Sequence, residues 1–138
     1  MSSDLFICIA YLPPDNSTYS KRNGPCDLDI LENNIKSYSQ QGSILILGDL
    51  NARTAEELDH IPNDCDRSIP SQLPYKFDLP LPHRLNSDLC LSERGKDLLD
   101  LCVSSGLRIM NGRKPGDCMG SFTCHHYNGS SAVDYCIA

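Results

Sequence analysis

No stretch of this 138-residue chain approaches the roughly 20 consecutive apolar residues that cross a bilayer as a helix, so a helical membrane span is excluded. The apolar run from Leu5 to Ala10 is too short for the h-region of a secretory signal and has no basic flank. No membrane partner is expected, and the expected address is intracellular. Basic clusters are equally scarce. Lys21-Arg22 and Arg113-Lys114 are the densest, and doublets of this kind read as solvated surface. With a net charge of −6 and a pI near 5.0, the chain does not hold nucleic acid by bulk positive charge. A metal-dependent hydrolase stays within reach, because carboxylates hold its cation. Neither a Cys-x-x-Cys pair nor a Cys/His cluster at zinc spacing occurs, although there are eight cysteines. Cys8, Cys124 and Cys136 fall in strand-like runs and Cys102 in a helical one, where a thiol behaves as a small hydrophobe. All eight are expected to be reduced. His125 and His126 are adjacent in an expected strand, so their rings point to opposite faces and do not share one metal. Internal repeats and low-complexity tracts are absent.

What is present is an alternation of strand and helix signals sized for one domain over 1–138, which would bury about two thirds of its extended-chain surface. Leu5 to Ala10 is almost unbroken apolar sequence, as expected of a central strand, and it stops at Leu12-Pro13-Pro14. Residues 15–25 read as loop. From Asp27 to about Gln41, Leu28, Leu31, Ile35 and Tyr38 recur at three- and four-residue steps, which predicts an amphipathic helix closed by Gly42. A second strand covers 43–48. Residues 52–87 carry five prolines and little periodicity, which predicts a long irregular surface segment. Ser92 is placed to cap a helix running to about Ser105, with Gly106 ending it. Leu107–Asn111 reads as a short strand, and 121–126 with 132–138 as a hairpin turning at Asn128-Gly129.

The densest local signal is Ile44-Leu45-Ile46-Leu47-Gly48-Asp49-Leu50-Asn51. Four aliphatics bounded by a glycine read as a strand covered on both faces. Asp49 and Asn51 then sit just past its carboxyl end, where α/β sheets place ligands. A carboxylate there accepts a proton from water, and an amide donates to an anionic oxygen. Taken alone, Gly48-Asp49-Leu50-Asn51 reads first as a turn closed by an Asx side chain. Tyr11 ends the earlier apolar strand, and Asp134 lies in the last one.

Several stretches, taken in order, resemble the endonuclease/exonuclease/phosphatase superfamily, and most closely the endonuclease domain of LINE-type retrotransposons. They are AYLPP at 10–14, ILGDLNART at 46–54, RGKDLLDLC at 94–102, LRIMNGR at 107–113, GDCMGSFTC at 116–124 and SSAVDY at 130–135. The resemblance implies an α/β fold: a partial DNase I-like α/β sandwich of mixed sheets flanked by helices, with N-terminal strands and the last strand missing. It implies a truncated domain, corresponding to somewhat more than the C-terminal half of the family's. The activity implied is hydrolysis of phosphodiester bonds with Mg²⁺, the implied partner is DNA, and the address is nuclear if that function is retained. No small-molecule cofactor is implied.

Residue by residue, Asp49 matches the family's water-activating aspartate and Asn51 the asparagine that holds the scissile phosphate. Tyr11 matches a tyrosine that reaches the phosphate oxygens, and Asp134 the aspartate that orients a catalytic histidine. Asn111 is a further candidate for the site, equally explained as a turn residue. The family's metal-binding glutamate and its closing Ser-Asp-His element have no counterpart here, and His125 and His126 do not occupy the histidine's place. Asp49 and Asn51 alone are too few anionic ligands for firm Mg²⁺ binding. The expected function is therefore a fragment of a retrotransposon-derived endonuclease that is inactive alone. The alternatives are a non-catalytic interaction module or genomic remnant, and a phosphatase or phosphodiesterase of the same superfamily.

Overall fold

The computed structural model describes residues 4–15, 17–18, 26–64, 77–78 and 81–138. The order of elements is β1 (Asp4–Tyr11), α1 (Asp27–Tyr38), β2 (Gly42–Asp49), α2 (Glu93–Ser105), β3 (Cys124–His126), β4 (Gly129–Ser131) and β5 (Asp134–Ile137). β1 and β2 pair in parallel through the α1 crossover, and β5 joins the other side of β2 antiparallel. β3 and β4 form a separate two-stranded sheet. The chain is a small mixed α/β protein, with two sheets and two helices among the described residues.

Both helices form where their periodicity predicts, and α2 also has the predicted termini. In α1, Leu28, Leu31 and Ile35 make one buried stripe, with Asp27 and Asp29 in the first turn and Lys36 in the last, favourable to the helix dipole. It ends at Tyr38, short of Gln41, and Gly42 opens β2 instead of capping the helix. A Cβ at Gly42 would lie 2.1 Å from the Asp4 carbonyl oxygen, so the parallel pairing requires glycine there. In α2 the Ser92 side chain accepts from the Gly95 N–H at 3.0 Å, and Gly106 adopts the left-handed cap at φ 73°. The helices pack on one face of the sheet. Ile44 and Ile46 of β2, Tyr135 and Ile137 of β5, and Leu98, Leu101 and Cys102 of α2 belong to one buried cluster. Each fully buried aliphatic side chain there contributes about 1.5–3 kcal/mol relative to exposure.

Five further expectations change. β1 is an edge strand, not a central one: among the described residues it pairs with β2 alone, and Leu5, Ile7 and Ile9 are 59%, 59% and 76% exposed. The unbroken apolar run reads as two covered faces, but the helices cover only the face of Phe6, Cys8 and Ala10. β2 is likewise covered on one face, with Leu45 and Leu47 half-buried on the other.

The described residues of 52–87 form no helix or named strand, yet they are not all surface. Ala52, Thr54, Asp59, His60, Arg84 and Asn86 are buried, because hydrogen bonds and ion pairs replace the missing secondary structure. The hairpin turns at Tyr127-Asn128, with His126 opposite Gly129, and its return strand ends at Ser131. Beyond Ala132-Val133 the chain leaves β3 and joins β2 as β5. Tyr135 draws it there, burying its ring in the core with its hydroxyl 2.9 Å from the Ala52 carbonyl oxygen. Finally, residues 108–110 lie strand-like along the far edge of β5 (Met110 N–H to Cys136 carbonyl, 2.7 Å; Arg108 N–H to Ala138 carbonyl, 2.8 Å) around a single bridge at Ile109.

Candidate functional site

β1 and β2 finish together where β5 begins, with Tyr11 opposite Asp49 and Asp49 opposite Asp134. Directly opposed residues project from the same face. The phenol and the two carboxylates therefore form one row across the end of the sheet, on the face away from the helices. Three of the four residues predicted from the sequence meet in that row. Gly48 makes the close approach possible: its φ is 142°, and a Cβ would stand 1.9 Å from the Ala10 carbonyl oxygen. Past Asp49 the chain dives inward, with Leu50 fully buried and its N–H bonded to the Val133 carbonyl at 2.9 Å.

Asn51, the fourth, adjoins the row but is turned to structural use. Its N–H donates to Asp49 Oδ1 at 2.9 Å, an Asx turn, and its φ is 46°. Its Nδ2 donates to the Leu12 carbonyl at 2.8 Å, which ties the end of β1 to the turn after β2. The Asx-turn geometry and the strand-end position thus hold together.

Asp134 is held by its main chain. Its N–H donates to Thr123 Oγ1 at 3.1 Å, and its carbonyl accepts from Asn111 Nδ2 at 3.2 Å. Asn111 Oδ1 in turn accepts from the Cys136 N–H at 2.8 Å. The Asn111 amide therefore pairs with β5 as a strand backbone would, and this accounts for it. Among the described residues the Asp134 carboxylate has no hydrogen-bond or ion-pair partner. Neither histidine of β3 reaches it: His125 Nδ1 lies 2.8 Å from Ser130 Oγ, and His126 Nε2 lies 3.0 Å from Cys124 Sγ. The two rings do go to opposite sides of β3.

Cations near the row are engaged. Arg94 donates to the Pro13 carbonyl and pairs with Asp15 at 2.5 Å. Arg53 binds Asp88 through Nε at 2.8 Å and Nη2 at 2.6 Å. Burial pushes the Asp88 carboxyl up, but Arg53 and the N–H groups of Ala132 and Cys90 outweigh that and hold it below the ordinary range. Deeper in, Tyr135 Oη sits among Thr54 Oγ1 (3.2 Å) and the carbonyls of Ala52 and Ala132, and burial raises its pKa. Arg84 is 1% exposed, donates to Thr54 Oγ1 and the Ala55 carbonyl, and leaves its Nε without a partner among the described residues. Burial lowers its pKa.

Sequence reading does not find this set of Arg53, Thr54, Asp59, Arg84, Asp88 and Arg113, in which the side chains other than that of Arg53 are buried. Nothing local distinguishes these residues from solvated ones, because the side-chain bonds that join them to one another span 30 or more residues of chain. The Cys124–His126 contact was findable, since residues i and i+2 of a strand share a face.

A resident divalent cation does not fit this donor set. The row offers two carboxylates, and no group of three or more His, Cys, Asp or Glu side chains among the described residues is placed to hold a metal. No described helix is long and apolar enough to cross a membrane. No family model, curated protein or solved structure matches the chain.

Proposed function

We propose that the chain carries one wall of a phosphodiester-hydrolysing site of the LINE-retrotransposon endonuclease kind, and that by itself it does not cleave DNA. The observation that supports this best is the row Tyr11–Asp49–Asp134 at the strand ends. Two like charges placed directly opposite across strands disfavour the fold, so their juxtaposition is what a positively charged or proton-donating ligand would relieve. In this reading Asp49 orients a water, Tyr11 donates to a phosphate oxygen, and Asn51 keeps Asp49 in place. The two carboxylates are too few to retain Mg²⁺, and among the described residues no free cation beside them offsets a phosphate. Lack of activity follows. The apolar face formed by Leu5, Ile7 and Ile9 opposite the helices is what a second sheet layer of a DNase I-like sandwich would cover.

The test is relaxation of supercoiled plasmid by the purified, folded chain with Mg²⁺, with EDTA and Asp49→Ala as controls. No nicking is expected. Metal-dependent nicking lost in Asp49→Ala would overturn the inactivity and leave the nuclease assignment stronger. Titration with Mn²⁺ under NMR observation tests the site itself: weak broadening confined to Tyr11, Asp49 and Asp134 is expected, and uniform broadening would remove the site. The exposed apolar side of β1 favours a second reading, a non-catalytic interaction module. Specific DNA or protein binding that survives Asp49→Ala and Asp134→Asn together would select it.

A further inference from the structure

The outer edge of β1 and an outward stripe of α1 lie on one side of the molecule. The Leu12 N–H bonds the Asp49 carbonyl at 2.9 Å, and the Ala10 carbonyl oxygen abuts Gly48, so even-numbered residues of β1 turn their main-chain groups toward β2. Leu5, Ile7, Ile9 and Tyr11 therefore turn theirs outward, where no described strand receives them. On the helix side of this edge, an open groove of about 410 Å³ is lined by Phe6, Cys8, Leu31, Asn34, Tyr38 and Ile44. Phe6 and Tyr38 mark one end, with ring centroids 5.0 Å apart. A crossover helix runs antiparallel to its strand, so Asn34 stands midway and Ile30 at the other end. Ile30, Asn34 and Tyr38 form one stripe at i, i+4 and i+8, with Ile30 and Tyr38 47% and 44% exposed.

We propose that this side is a homodimer interface. A second copy of the chain adds its β1 antiparallel to β1 about a two-fold axis at Cys8, joining two three-stranded sheets into one of six. Antiparallel neighbours must share a face, so odd residues meet odd ones. With Ile7 opposite Ile9 of the second copy and Leu5 opposite its Tyr11, all four outward residues on each copy exchange main-chain hydrogen bonds. Cys8 then faces Cys8 of the second copy in a non-hydrogen-bonded pair, with Cα atoms about 4.5 Å apart. The same axis crosses α1 at Asn34 and sets Ile30 against Tyr38 of the second copy.

A single operator thus makes both the strand edge and the helix stripe self-complementary, which is the signature of an isologous contact. A foreign strand would satisfy the edge but not the stripe. Charge agrees: Asp4 is the one charged residue of β1, and the axis holds the two copies of it about 26 Å apart. β1 also lacks the lysine, proline or bulge that blocks edge pairing. The eight residues of β1 and three of α1 are about half the usual 20–30 per side, so Kd is expected on the order of 10–100 µM.

Sedimentation equilibrium of the reduced protein, at concentrations bracketing that Kd, should show the monomer mass doubling. Ile9→Lys changes a side chain outside the core and should weaken association about tenfold or more while the circular dichroism stays unchanged. Ile30→Lys should weaken it from the helix side. Diamide, which takes two electrons and two protons from a pair of thiols as the S–S bond forms, should cross-link the dimer through Cys8. Cys8→Ser should lose that cross-link yet still dimerise when reduced. A monomer at every concentration, an open-ended assembly, an unweakened Ile9→Lys dimer, or a dimer cross-link persisting in Cys8→Ser would each overturn the proposal.

Discussion

Four aspartates divide into two pairs with opposite surroundings. Asp59 and Asp88 lie in the interior, 0% and 2% exposed, and both oxygens of each are occupied. Asp59 takes Arg113 at 2.6 and 2.7 Å, the Ile109 N–H at 2.8 Å and His60 at 3.4 Å. Asp88 takes Arg53 with the N–H groups of Cys90 and Ala132. Asp49 and Asp134 instead face each other across the end of the sheet, and the one side-chain hydrogen bond between them and the described residues is that from the Asn51 N–H. The interior pair fastens an irregular segment to the core where no strand or helix does so. The pair at the sheet end stabilises nothing comparable, and that places it among the candidates for ligand chemistry. Charge in this chain is structural where it is saturated and available where it is not.

The sharpest way to break that contrast is Asp59→Ala. It leaves the Arg113 guanidinium buried and unpaired, and the loss of a buried partner costs about 3–5 kcal/mol. Urea unfolding should show it as a large fall in the midpoint, and a loss below about 1 kcal/mol would mean that water reaches Arg113.

Acid tests the same pair without mutation. Burial pushes the Asp59 carboxyl up, but Arg113, the Ile109 N–H and His60 outweigh it and bring the pKa from 3.8 to about 2. A depressed folded pKa gives stability that is complete above the unfolded value and lost as pH falls through the folded one. About 2 kcal/mol should therefore disappear between pH 4 and pH 2. Asp88, also lowered, adds to the same loss. In Asp59→Asn this part of the acid dependence should vanish.

Tyr135→Phe probes the hydroxyl at the centre of the network. The carbonyls of Ala52 and Ala132 and the Thr54 hydroxyl each lose a partner, with an expected cost of about 1.5 kcal/mol by the same assay. The smallest effect has the opposite sign. Asp134→Asn removes one of two facing like charges and should stabilise the fold by about 0.5 kcal/mol. A destabilisation there would show that the Asp134 carboxylate has a structural role after all.

Much of the site was legible because its signals are local. A glycine after four aliphatics marks the end of β2, and the acid that follows is at the strand end wherever the strand is placed. The alignment of Tyr11 with Asp49 and of Asp49 with Asp134 was not legible, since it depends on the registers of a parallel and an antiparallel pairing. For the same reason, 134–137 read as the return strand of the hairpin. Alternation identifies a strand but does not name its neighbour.

The sequence by itself determined the start of α1, the extent of α2, the Ser92 and Gly106 caps, and the abrupt end of β2 at Gly48-Asp49, because propensity, capping and periodicity act within a turn or two of helix. Tertiary structure decided that β1 is an edge, that β5 belongs to β2, that the ends of the 52–87 segment are interior, and which of the charged residues are buried. Those outcomes depend on groups far apart in the chain meeting at hydrogen-bond distance, as Arg53 meets Asp88 across 35 residues and Thr54 meets Tyr135 across 81. No local pattern encodes such a meeting, whose energy exists only once the chain has closed.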